Sequence, residues 1–217
     1  LHKNTTADNN VAVGTCASGC NTDGHSNVSI GFSALCTNTT GDKNIAIGHQ
    51  SLLSLATANE IVAIGYNSLR ALTTGTDNTA VGFEAGKSIT TGDRNTAMGY
   101  LALSTMTTVA DNTAVGYKAM TANTSGSNNT AVGKDAMLAN TTGANNVAIG
   151  QNALETSTSG GANTAVGQLA AQDLTTGAEN TAIGHEAGNN ITTGTNNTLL
   201  GHEAGTDAVA NVVASNG

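Results

Sequence analysis

The sequence predicts an all-β fold, a parallel β-solenoid of twelve 17-residue coils. Three observations carry that expectation. Glycine recurs at Gly14, Gly31, Gly48, Gly65, Gly82, Gly99, Gly116, Gly133, Gly150, Gly167, Gly184 and Gly201, always at an interval of 17. The residues before each glycine repeat a strand-like pattern, as in Asn78-Thr79-Ala80-Val81-Gly82. The composition, finally, fits neither an ordinary globular core nor a disordered chain. With 217 residues, 27 Gly, no Pro or Trp and 2% aromatics, the chain lacks the large side chains that fill such a core. At 38% hydrophobic it is too apolar to stay unfolded. Regular stacking has to take the place of bulk.

The elements follow in order when each copy is numbered from the residue four before its glycine. Position 1 is Asn in eleven copies, with Ile61 the exception. Position 2 is Val, Ile or Thr and position 4 is Val, Ile, Met or Leu, the period-two spacing of a short strand. Glycine at position 5 marks a bend or a close approach of another backbone. Position 8 is always Ala or Ser, and a Thr-Thr-Gly turn closes copies at 73–75, 90–92, 141–143, 175–177 and 192–194. The copies fill residues 10–213 without insertion, leaving an N-terminal tail at 1–9 and a C-terminal tail at 214–217. A fixed length is what stacked strands require, because one extra residue turns every later side chain to the wrong face. Helical repeats need more than about 30 residues for a helix pair. Like residues therefore form ladders, with the position-1 Asn amides paired along the stack.

Positions 9 and 12 read as sharing one interior space. Where position 9 is Gly86 or Gly188, position 12 is Ile89 or Ile191; where position 12 is Asn38, Asn123, Asn140 or Ser157, position 9 is Leu35, Met120, Met137 or Leu154. The exchange fails in the first coil, with Ser18 and Asn21, and in the last, with Gly205 and Ala208.

Candidate functional residues concentrate at position 6. Every aromatic residue of the chain falls there, as Phe32, Tyr66, Phe83, Tyr100 and Tyr117, and His49 completes a run over six consecutive coils. Such a stripe suits stacking of rings on one another, a seam between chains, or a platform for sugar faces. His185 under His202 and Glu186 under Glu203 offer metal-type donors, but as ladder positions they read as solvated, and no metal or cofactor is expected. Cys20 and Cys36 stand nearly in ladder register, within disulfide reach, with Cys16–Cys20 the competing pair. No nucleophile elbow, phosphate loop or zincin motif occurs, and coils of equal length leave no loop to build a cleft, so the expectation is a protein that is not an enzyme.

The segments Asn44-Ile45-Ala46-Ile47-Gly48, Val62-Ala63-Ile64-Gly65 and Asn146-Val147-Ala148-Ile149-Gly150 resemble the head repeats of trimeric autotransporter adhesins. The Asn-Thr-Ala-Val-Gly copies are similar to repeats in phage and algal-virus tail-fibre proteins. That resemblance implies a left-handed parallel β-roll, usually a homotrimer, placed extracellularly on a cell or virion surface for attachment to a glycan or receptor. A pI near 4.8 and a net charge of −8 argue against nucleic acid as a partner. No apolar run reaches the roughly 18 residues of a membrane span. Leu1 at the start reads as a processed product or a fragment. Two other roles are compatible with a solenoid: a subunit of a self-polymerising filament stacking end to end, and an ice-binding protein. Against the latter, the Thr residues at positions 13 and 14 are adjacent rather than alternating, so they do not share one face.

Overall fold

A computed structural model of the chain describes residues 3–206, in two compact units, Leu1–Ala110 and Asp111–Gly217. The segment at 214–217 and Ala208 lie outside the described residues. Unit 1 carries β1 (Val11–Val13), β2 (Val28–Ile30), β3 (Ile45–Ile47), β4 (Val62–Ile64), β5 (Thr79–Val81) and β6 (Thr96–Met98). Unit 2 carries β7 (Thr113–Val115), β8 (Thr130–Val132), β9 (Val147–Ile149), β10 (Thr164–Val166), β11 (Thr181–Ile183) and β12 (Thr198–Leu200). Each strand spans positions 2 to 4. Within each unit the strands pair in parallel with their sequence neighbours, in a register of like positions such as Val28 with Ile45 and Thr164 with Thr181. The fold is a parallel β-solenoid, and the described residues contain no helix.

The period-two pattern points its large members outward. Position 3, the residue between them, is the buried one: Ala46, Ala63, Ala80, Ala114, Ala131, Ala148 and Ala165 are completely buried. Position 8 packs inside as well, and the two Ser residues there, Ser51 and Ser68, donate to the carbonyls of Ala63 (2.9 Å) and Ala80 (3.0 Å) in the next coil. Only a small side chain fits a site so close to the strand, which accounts for the Ala-or-Ser rule.

Bulk comes from positions 9 and 12. Leu35, Leu52, Leu69, Leu103, Met120, Met137 and Leu154 occupy the first, and Leu55, Leu72, Ile89, Met106 and Leu174 the second, all but excluded from solvent. The shared space is direct at Gly86, where a Cβ would lie 3.0 Å from Ile89 Cδ1 and 2.9 Å from Leu69 Cδ2. In the last coil the missing volume is supplied from an unexpected place: Leu199 stands at position 3, where the other coils carry Ala or Ser, and its Cδ2 lies 2.5 Å from where a Cβ would stand at Gly205. In the first, Ser18 and Ser29 bond to each other through their hydroxyls at 2.8 Å.

Position 1 holds the coils together. In unit 2 the Oδ1 of Asn129 accepts the backbone N–H of Asn146 (2.9 Å), and that of Asn146 accepts from Asn163 (2.9 Å). The Nδ2 groups of Asn129, Asn146, Asn163 and Asn180 donate within their own coils to position 15, as Asn146 to the Gly160 carbonyl (2.8 Å). The amide-to-amide contact expected from the sequence is present but longer, 3.2 Å from Asn146 to Asn129. The main work of the ladder is thus to satisfy backbone groups. Position-13 threonines form a second ladder of hydroxyls bonding the next coil's carbonyl, as Thr73 to Thr90 (2.9 Å) and Thr141 to Thr158 (2.9 Å).

Position 5 is glycine for two reasons at once. Its φ lies between +121° and +140° in all twelve copies, a region closed to side chains, and at Gly133 a Cβ would meet the Gly150 carbonyl oxygen at 2.5 Å. The residues before Asn10 also follow the coil. Asn4 accepts from the Ala7 N–H (3.0 Å) and donates to its carbonyl (2.8 Å), the bonds that Asn38 at position 12 makes with Gly41. Residues 4–9 therefore take the geometry of positions 12 to 17.

Candidate functional site: the outward face of the strands

Because position 3 faces inward, positions 2 and 4 face out, and the aliphatic ladder at position 4 is open to solvent. Val13 is 57% exposed and Met98 42% in unit 1; Ile149 is 40% exposed in unit 2. Past the position-5 glycine the chain presents position 6. In unit 1 position-7 N–H groups donate to the position-6 carbonyl one coil back, as Gln50 to Phe32 (2.8 Å) and Glu84 to Tyr66 (2.8 Å). Those bonds fix the rings at the coil spacing of about 4.8 Å. Phe32, His49, Tyr66, Phe83 and Tyr100 consequently stack in sequence with centroids 5.2, 5.0, 5.1 and 5.3 Å apart and planes within 20°. The five aromatic rings of the chain are 42–49% exposed, so each keeps an edge in water. Each stacked pair contributes about 0.5–1.5 kcal/mol beyond its burial.

Unit 2 presents a different surface at the same position. Tyr117 lies under the Lys118 ammonium at 5.3 Å, Lys134 pairs with Asp135 at 3.4 Å, and His185 stacks on His202 at 5.1 Å. The imidazole Nε2 atoms stand 3.8 and 3.7 Å from the carboxylates of Glu186 and Glu203. Among the described residues no three His, Cys, Asp or Glu side chains converge in a metal-holding arrangement, and no helix is long and apolar enough to cross a membrane. Two open grooves of unit 1, about 290 and 320 Å³, are lined by polar and charged side chains such as Asp42, Glu60 and Asp77 in one and Arg70, Glu84 and Lys87 in the other.

The cysteines gather where coils 1 and 2 meet, all as free thiols. Cys20 donates its N–H to the Cys36 carbonyl at 3.0 Å, which confirms the near-register expected for that pair. Burial holds the Cys36 thiol above its usual range, and the adjacent Cys20 and Cys16 sulfurs add to the effect. Cys16, at position 7, accepts the Gly19 N–H at its carbonyl (3.2 Å), and Gly19 is the coil 1 residue in register with Cys36, a nearness that sequence spacing does not show. The outward direction of position 4 was likewise hidden, since alternation alone does not say which member faces in.

Fold and surface together define a parallel β-solenoid repeat protein whose distinguishing feature is an apolar outer face. No protein-family model, curated protein or solved structure matches the chain.

Proposed function

We propose that the chain is a segment of a non-enzymatic extracellular attachment fibre that assembles with copies of itself, in closed trimers, through the outward face of its strands. The observation that carries this reading is the solvent-open apolar surface, with Val13, Ile30, Ile64 and Met98 at position 4 beside the ring stack at position 6. Contiguous apolar patches of this kind mark interaction surfaces, since a monomer gains nothing by exposing them. A thin interior built on alanine points the same way, because lateral packing of several solenoids supplies the burial that one lacks. The resemblance of the Asn-x-Ala-Ile-Gly segments to adhesin heads and tail fibres adds the surface setting and leaves the free edges of the rings for a glycan or receptor.

Light scattering coupled to size exclusion tests the assembly. A particle of three chains is expected, converted to monomer by Ile64→Glu or Tyr66→Glu with the circular dichroism of each variant unchanged. A wild-type monomer at tens of micromolar overturns the reading, and open polymers that survive both substitutions favour the end-to-end filament instead.

A further inference from the structure

We propose that Cys16, Cys20 and Cys36 form a thiol-exchange site in which Cys36 is the common partner of two mutually exclusive disulfides, Cys16–Cys36 and Cys20–Cys36, each tying coil 1 to coil 2. Three features bring the three residues together. The Cys20 N–H to Cys36 carbonyl bond of 3.0 Å sets the two residues one position out of register on adjacent coils, and a coil spacing of about 4.8 Å falls inside the roughly 4.4–6.8 Å Cα window of a disulfide. The turn from Cys16 to Gly19, closed by a 3.2 Å bond from the Gly19 N–H to the Cys16 carbonyl, folds Cys16 back beside Gly19, the coil 1 residue in register with Cys36. Cys16 is exposed while Cys20 and Cys36 are half-buried, so one thiol is open to a reagent and two lie behind it.

This arrangement orders the chemistry. With a glutathione disulfide as oxidant, the exposed Cys16 thiolate attacks one glutathione sulfur, forming a mixed disulfide and expelling a glutathione thiolate. The Cys36 thiolate then attacks the Cys16 sulfur, forming Cys16–Cys36 and expelling the second glutathione. The two protons lost by the protein thiols end on the two glutathione thiolates, so the protein is oxidised by two electrons and the glutathione disulfide reduced by two. Cys20 is left free beside Cys36, and its thiolate attacks the Cys36 sulfur to give Cys20–Cys36 and release Cys16. The bridge thus moves between two sites without further oxidant. Coil 1, which either bridge ties to coil 2, has Ser18 and Asn21 at positions 9 and 12 rather than aliphatic side chains.

The test is oxidation of the full chain by oxidised glutathione, followed by alkylation and peptide mapping without reduction. The expected result is loss of two of the three thiols, with Cys36 in every intrachain disulfide and the third thiol divided between Cys16 and Cys20. Cys16→Ser and Cys20→Ser should each still close one bridge to Cys36, and Cys36→Ser should accumulate only glutathione adducts. A dominant Cys16–Cys20 bridge in the wild-type chain, or bridges only between chains, overturns the proposal, and that mapping needs no variant to fold. Because the readout is a linkage rather than an assembly, it stands apart from the trimer test.

Discussion

Asn146→Ala in unit 2 cuts the position-1 ladder at a fully buried side chain. The substitution removes the Oδ1 that accepts from the Asn163 N–H at 2.9 Å and the Nδ2 that donates to the Gly160 carbonyl at 2.8 Å. Neither partner has water to turn to. A buried group left unsatisfied costs about 1–3 kcal/mol, so the two together should cost about 2–5 kcal/mol. Urea denaturation measures the total. Hydrogen exchange locates it: protection of the Asn163 amide should fall at least about 30-fold, since 1.4 kcal/mol is tenfold. In a repeat stack the loss should decay over neighbouring coils rather than spread evenly. The control is Thr142→Ala in the adjacent turn, an exposed residue, expected to change stability by less than about 0.5 kcal/mol. Equal stability of Asn146→Ala and that control would refute the claim that the amide ladder holds the coils.

Gly133→Ala should cost more than about 3 kcal/mol in a thermal melt, combining a forbidden φ with a carbonyl in the way. Gly201→Ala, where φ is +121° but no described atom lies within 4 Å of the new Cβ, should cost distinctly less. Gly86→Leu should destabilise by about 1–3 kcal/mol through overpacking, and Ile89→Ala by about 2–5 kcal/mol through a cavity. Gly86→Leu with Ile89→Asn reproduces the arrangement of coil 2 and should recover most of the loss in a double-mutant cycle; simple additivity would rule out a shared space. Hydroxyl bonds from Thr6 (2.6 Å) and then Thr5 (3.0 Å) hold the Asp23 carboxyl below its usual range. A depressed folded value means that this contribution is present above the ordinary carboxylate range and is lost as pH falls through the folded value. An NMR titration should therefore place the Asp23 midpoint below about 3.9, with residues 4–9 losing exchange protection only beneath it; a midpoint at or above that figure would refute the bonds.

Period, strand positions and the exchange between positions 9 and 12 were legible because each depends on the identity of a residue at a fixed interval. Which side of the strand faces in was not, because Ala at position 3 is a weak hydrophobic signal flanked by stronger ones. Size decides it: the space over the strand, closed by position 8, admits Ala or Ser and nothing larger until Leu199, where the last described coil opens. The ring stack could be read directly, since identical spacing puts position 6 of one coil over that of the next. The nearness of Cys16 to Cys36 could not, because it relates positions 7 and 10, and only the turn geometry brings unlike positions together. The same holds for residues 4–9, whose match to positions 12 to 17 rests on bonding rather than on a full copy of the motif.

The backbone of each coil is strained in a way that narrows what the sequence is free to vary. Positions 7, 9 and 17 take positive φ throughout the described coils, and at position 9 the residue is often bulky, as Leu35 (φ 51°) and Met120 (φ 52°). A side chain there costs about 1–2 kcal/mol, which the buried aliphatic and the bonds between coils must offset. The interior is thereby committed at positions 1, 3, 8, 9 and 12. Positions 2 and 4 are not committed, since both face outward and a strand is equally well served by Thr. Yet they behave differently. Position 2 is Thr in seven of the twelve coils, whereas position 4 is Val, Ile, Met or Leu in all of them. A requirement for strand formation alone would treat the two alike. An aliphatic side chain kept at one outward position and relaxed at its neighbour is the pattern expected of a surface covered on one side, and in the self-association proposed above the position-6 rings would lie at the border of the covered strip.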